Sequence, residues 1–480
     1  MKFPSLSSLY HSFVDVLKRF PAPLFFALLG TICGMLLVDN VFDVGAQNDL
    51  FRLVYTGIIG LALSLAVKLY QERNPEKKAF PWLAYGLMLL ILAAVFFGFD
   101  PFFKSAEILA ILIIAFAAHL LVALAAFHKE RETVGFWQIN KSFFLRFATS
   151  GLYSAVLFIG LSVALFSVDE LFKVEVDDAV YGRVWVFIVG IFNTVFFLAG
   201  IPGPEATLNN QEDYPKGLKV FTQFVLIPLA SIYLLILLAY ELKILLDFEL
   251  PNSSVALLIL GYAVFGILSL LLVHPLRDQP GNAWIKWYSK SFYLLMLPLI
   301  ALLILSIYKR IGDYGVTESR YVLIALCIWL CFITAFFLIK GQEQIRVIPM
   351  SLMVICILAV TGPWSITSVS KRSQQERLKN LLTQQKSDTR DHEIRSLVHY
   401  LYDSHGLLSL KAFVKADLNK INDEMIASAD TVPYRAYRLK WQARDTVLTM
   451  LNVPKYSADI SGLADTYRGF GNKEPKVLDL

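Results

Sequence analysis

SFYLLMLPLIALLILSIYKRIGDYGVTESRYVLIALCIWLCFITAFFLI, residues 291–339, decides how this chain is read. Two apolar runs, each close to the ~20 residues that cross a bilayer as a helix, enclose the polar hinge RIGDYGVTESRY at 310–321. Charge and aromatic rings this dense are costly beside lipid, so the hinge belongs at a membrane surface. Within it Gly315 supplies a tight turn, Thr317 caps the following helix, and Arg320 pairs with Glu318 or a neighbouring loop.

The same pattern repeats along most of the 480 residues. Hydrophobic residues make up 56% and charged residues only 17%, with a mean hydropathy of +0.57. A soluble chain carries roughly a quarter charged residues, so this is a membrane composition. Apolar runs place eleven spans near 21–39, 51–70, 80–98, 106–127, 144–168, 181–201, 218–242, 253–275, 290–308, 321–339 and 346–364. The last is the least regular, because Arg346 and Pro349 crowd its start. The expected fold is therefore all-α, a polytopic integral membrane protein with about eleven transmembrane helices and a small helical C-terminal domain.

Four regions follow. Residues 1–20 form an amphipathic helix lying on the membrane, since Leu6, Leu9, Tyr10, Phe13, Val14 and Leu17 keep helical spacing and no signal-peptide order is present. Residues 21–365 form the transmembrane domain. Residues 366–455 form a polar helical domain, in which Ile394, Leu397, Val398, Leu401 and Tyr402 share one face before Gly406. The stretch 410–427 repeats the pattern, residues 436–452 make another helix, and 456–480 form a loose tail.

Lys and Arg in the short loops on the N-terminal side outnumber those opposite by about two to one, which predicts a cytoplasmic N-terminus. An odd span count then predicts an extracytoplasmic C-terminus in a bacterial inner membrane. Lys371, Arg372, Arg377 and Lys379 argue for the other side, but long polar domains translocate with less regard to charge. The modest net charge of +5 lies in loops and tail and implies no nucleic-acid partner; the bilayer and envelope proteins are the expected partners.

Candidate chemistry is sparse. His119 and Asn193 are the polar side chains nearest mid-span, and one interhelical hydrogen bond explains each better than a functional role does. Gly30 and Gly34, with Gly57 and Gly60, read as close helix packing. Cys33, Cys327, Cys331 and Cys356 lie in apolar runs and read as packing residues. His392, His399 and His405 read as solvated, without a zinc pattern, so no metal, cofactor or catalytic residue is assigned.

Two stretches remain: the hinge and GPWSITSVSKRSQQERL, residues 362–378. On this topology both lie on the outer face. Arg310, Tyr314, Thr317, Glu318, Arg320 and Tyr321 from the first, with Trp364, Gln374 and Arg377 from the second, form a candidate outer-face polar site or simply dock the tail.

These stretches, with residues 143–172, 192–202 and 224–243 and the helical tail, resemble a bacterial family of many-span membrane proteins termed domain of unknown function 4153. The resemblance implies an inner-membrane protein with a polar C-terminal part, and it supplies no activity or substrate. Members with longer tails would make this chain a short form. The functional expectation is a non-enzymatic interaction or sensing component of the cell envelope. One alternative is a permease with Asn193 and kinks at Pro228 and Pro298 on its path; another is an envelope transferase using Asp39 and Asp43.

Overall fold

The computed structural model describes residues 6–39, 44–77, 80–101, 103–126, 133–203, 214–247, 255–415, 417–420, 422 and 433–454. Every regular element among them is helical. In chain order they are α1 (Leu6–Arg19), α2 (Pro21–Val38), α3 (Val44–Arg73), α4 (Phe80–Gly98), α5 (Ala106–Ala125), α6 (Thr133–Phe172), α7 (Asp178–Ala199) and α8 (Lys216–Asp247). There follow α9 (Val255–Val273), α10 (Ala283–Tyr314), α11 (Glu318–Lys340), α12 (Val347–Val360), α13 (Ile366–Thr383), α14 (Asp388–His405) and α15 (Pro433–Met450). Among the described residues ten helices, α2 to α11, are long and apolar enough to cross a membrane. This is an all-α polytopic membrane protein, because only self-satisfied helical backbone survives in hydrocarbon.

The eleventh expected span, 346–364, is a shorter helix, α12, of 14 residues. At 1.5 Å per residue it is about 21 Å long, less than the ~30 Å hydrocarbon core. It nevertheless joins opposite faces of the bundle. Just before it, the Gln342 carbonyl accepts from Arg277 Nη1 at 2.8 Å and lies 3.0 Å from His274 Nε2, at the end of α9. Just after it, the Trp364 carbonyl accepts from Tyr321 Oη at 2.7 Å, at the start of α11. The turns on either side complete the traverse that the helix alone is too short to make.

α6 also departs from its expected span of 144–168. It is one continuous helix of 40 residues, about 60 Å long. No proline interrupts residues 133–172, and the first turns run along the bundle face: Trp137 Nε1 donates to the Leu271 carbonyl at 2.6 Å and the ring stacks on Tyr214. Farther on, Phe147, Val156, Ile159, Phe166 and Leu171 stand exposed, an apolar surface suited to lipid.

Two apolar cores organise the bundle. The first gathers Phe20, Ile59, Leu65, Met88, Ile111, Ile139 and Leu198 from α2 to α7. Its closest contact is between α2 and α3, where Gly30 and Gly57 let the backbones touch: a Cβ on Gly57 would stand 2.9 Å from the Gly30 Cα and the Phe26 carbonyl. The second core joins Ile259, Phe292, Met296, Leu299, Leu303 and Ile333 from α9 to α11. Cys33, Cys327 and Cys356 are buried within the bundle, and all four cysteines are free.

α1 lies across one end of the bundle. Its Tyr10, Phe13 and Leu17 face outward, while Val16 and Phe20 pack inward. Arg19 fixes it: Nε and Nη2 reach the two Glu72 carboxylate oxygens at 3.1 and 2.8 Å, and Nη1 and Nη2 donate to the Ile201 and Pro202 carbonyls at 2.8 Å each. We call this end the Arg19 face and the opposite end the Glu318 face.

The polar tail has a core of its own, built from Leu378, Ile394, Val398, Leu401, Leu410, Leu418 and Val447. Tyr402 and Leu397 join it, so the face read from the sequence is the buried one. Gly406 ends α14 at φ +78, and buried Arg390 ties the α13 end to α14 through the Leu381 carbonyl at 2.8 Å and Asp391 at 2.9 Å. The stretch 410–427 follows a 3-10 turn, Leu407–Leu410; its residues 418–420 and 422 are helical, and residues 416, 421 and 423–427 lie outside the described residues. The tail at 456–480 lies outside them too.

Candidate functional site

The hinge between α10 and α11 is short because α10 continues to Tyr314. Gly315 then turns the chain at φ +68 and ψ −175, a conformation open essentially to glycine alone. Thr317 occupies the N-cap position of α11 but its side chain makes no capping bond, contrary to expectation. The hinge backbone is satisfied from α13 instead. Ser373 Oγ accepts from the Val316 N–H at 2.9 Å, and Gln374 Nε2 donates to the Tyr314 and Val316 carbonyls at 2.9 and 3.0 Å.

Gln374 is only 2% exposed, so this amide is a buried plug and not a surface contact. Arg320 Nη1 donates to the Tyr314 and Gly315 carbonyls at 3.0 and 2.6 Å, and therefore holds the hinge rather than Glu318. Arg320 and Arg377 both lie near the Tyr314 ring, 5.4 and 5.6 Å from its centroid. Arg377 also pairs with Glu393 at 2.8 Å. Arg310 lies in the last turns of α10, and the Trp364 side chain stays exposed while its carbonyl binds Tyr321.

Glu318 opens α11 and faces the tail. Ser370 Oγ donates to its Oε1 at 2.7 Å, Tyr400 Oη donates to Oε2 at 2.6 Å, and His405 Nε2 stands 3.1 Å from Oε1. The carboxylate side chain is 12% exposed and the imidazole 4%. Burial, with the Glu318 carboxylate beside it, pushes the Tyr400 phenol well above its ordinary range, so it keeps its proton and donates. A buried carboxylate is tolerated only when its lone pairs are met, and here three side chains of the tail meet them.

The tail touches a second loop on this face. The Ser105 N–H, at the start of α5, donates to the Asp403 carbonyl at 3.0 Å, and the two serines 105 and 404 approach at 3.5 Å. Beside the hinge, Arg372, Ser373, Glu376 and Arg377 line a cleft of about 550 Å³. The sequence gives no signal for Tyr400, and His405, expected to be solvated, is buried because Glu318, Ser370 and the Tyr400 ring pack over it. His392 and His399 stay exposed, the latter paired with Asp403 at 3.1 Å four residues on. Among the described residues no three His, Cys, Asp or Glu side chains are grouped as a metal site.

Gly315 gives the first prediction. A Cβ there would lie 2.9 Å from Gln374 Nε2 and 3.1 Å from Ser373 Oγ, on a backbone that a side chain already strains. Gly315→Ala is expected to weaken tail docking by about 2 kcal/mol, read as faster hydrogen exchange across α13 without change in α2 or α3.

The intramembrane candidates fall elsewhere and together. His119, itself exposed, and Asn193 both line an open cavity of about 680 Å³ between α2, α3, α5, α6 and α7. Its wall includes Gly30, Gly34, Gly57 and Gly190, and a π-turn, Ile188–Phe192, precedes Asn193. Asn193 Oδ1 is buried with no partner, and His119 Nδ1 lies 2.7 Å from the Ala115 carbonyl. Pro228 and Pro298 are not in this wall. Asp39 pairs with Arg183 at 3.2 Å, and Asp43 lies outside the described residues.

A family model described as Domain of unknown function (DUF4153) matches residues 25–400, which takes in the bundle, the hinge, Ser370 and Tyr400. The chain is 25% identical over 381 residues to the Uncharacterized protein PM1469 of Pasteurella multocida (strain Pm70), covering 78% of this chain and 61% of that protein. This chain thus spans less than two thirds of the length of the curated relative it matches. No solved structure matches.

Proposed function

We propose a function from one premise: the chain belongs to the family Domain of unknown function (DUF4153). On this reading it is a non-enzymatic component of the bacterial inner membrane, with the Glu318 face outside the cytoplasm and the tail domain as an interaction or sensing surface. One observation carries the proposal. A largely buried carboxylate at the membrane surface, Glu318, is met by the tail residues Ser370, Tyr400 and His405. The tail is thereby keyed to the position of α11, and any tilt of α10 or α11 changes what the tail presents to an envelope partner. A sensing role would require this contact to have a second, released arrangement.

Paired reporter fusions at Leu480 test it, one active only outside the cytoplasm and one only inside. Activity of the outside reporter is the expected result, and activity of the inside reporter would defeat the extracytoplasmic reading. A second reading, a permease for a small solute, draws on the cavity that holds His119 and Asn193. Uptake by purified protein in vesicles, abolished by Asn193→Leu, would favour it over the first.

A further inference from the structure

We propose that the cavity between α2, α3, α5, α6 and α7 is a binding site for an amphiphile, an apolar chain bearing a hydrogen-bond-donating head such as a hydroxyl. The inference stands apart from the tail reading and rests on how polarity is graded along the cavity. α5 and α7 both end at the Arg19 face, at Ala125 and Ala199. His119 and Asn193 each lie six residues before those ends, so both stand about 9 Å below that face. Asn140 lies nearer that face, its Nδ2 donating to the Ala123 carbonyl at 3.3 Å. Deeper, toward Gly34, Val186 and Trp185, the wall is apolar. A head group at the polar level with a chain running toward the bilayer centre matches that gradient.

The chemistry of the head follows from the partners already spent. Ala115 offers a carbonyl, which only accepts, so Nδ1 of His119 carries a proton; in the neutral ring Nε2 is then an acceptor. Asn193 Oδ1 is a second acceptor, buried and without a donor. An unpaired buried acceptor is costly, and a donor brought by a ligand removes that cost. A plain alkane fills the apolar end but leaves both acceptors unmet. The backbone adapts to the cavity as well: the π-turn at Ile188–Phe192 places Gly190 against Thr31, closing the wall opposite α5 without a side chain.

The test uses the full chain in detergent micelles and two photoreactive probes, hexadecanol and hexadecane carrying the same diazirine in the chain. The alcohol is expected to label α5 and α7, with competition by unlabelled hexadecanol. Asn193→Leu and His119→Leu are each expected to lower labelling by the alcohol about fivefold to tenfold while labelling by the alkane is unchanged. Ala123→Phe, which puts a ring into the cavity from its wall, is expected to remove labelling by both. Folding of each variant is checked by its melting temperature in detergent. Equal labelling by the two probes, or alcohol labelling that neither polar variant lowers, would overturn the proposal. Solute uptake in vesicles reports on the permease reading separately, since amphiphile binding is expected whether or not uptake occurs.

Discussion

Glu318→Ala releases the tail domain from the bundle, at an expected cost of about 3 kcal/mol to docking. The carboxylate is the shared acceptor for Ser370, Tyr400 and His405, and its loss strands a phenol and an imidazole in a site where the ring is 4% exposed. Breaking one side of a buried charge contact costs more than the contact is worth, because the partners stay desolvated. When tail opening is fast relative to cleavage, proteolysis follows the open population, so trypsin is expected to cut α13 about a hundredfold faster. Glu318→Gln keeps one acceptor oxygen and is expected to lie between Ala and the parent. Unchanged cleavage in the Ala variant would mean that the Gln374 and Ser105 contacts hold the tail without Glu318.

Gly57→Leu is the second large effect, expected in the bundle and not in the tail. The Cβ alone would meet the Gly30 nitrogen, the Gly30 Cα and the Phe26 carbonyl oxygen at 2.9 Å, and all three are backbone. A flexible side chain can turn away from an intruding atom, but a helix backbone moves only by separating the pair. Overpacking of this kind costs about 3 kcal/mol at the upper end of its usual range, and it falls on the pair that forms one wall of the His119 and Asn193 cavity. The expected readout is a lower melting temperature in detergent together with loss of cavity labelling by both probes. Gly86, where a Cβ meets nothing within 4 Å, supplies the control: Gly86→Leu is expected to leave the melt unchanged.

Much of this site was legible. The sequence places Gln374 and Arg377 beside the hinge because the polar runs at 310–321 and 362–378 each end an apolar traverse on the same side. Gly315 makes the turn its residue type predicts. The hidden part is that Gln374 is buried, that Arg320 binds hinge carbonyls, and that Ser370, Tyr400 and His405 meet on Glu318. A histidine on the polar side of an amphipathic helix reads as solvated until another element covers it.

What the sequence determined by itself is the number and order of apolar traverses and the shift to a polar helical tail. Lipid enforces this reading, since it accepts only long apolar helices with internally paired backbone. Even there, the 40-residue α6 and the short α12 depart from their apolar runs: hydropathy measures transfer into lipid, whereas helix length follows where backbone pairing stops. Tertiary structure alone decided which polar groups meet. Glu318 finds Tyr400 82 residues away, and His119 shares a cavity with Asn193 on another helix. Hydrogen bonds act over about 3 Å, and nothing in a residue's identity states which distant helix will be brought within that reach.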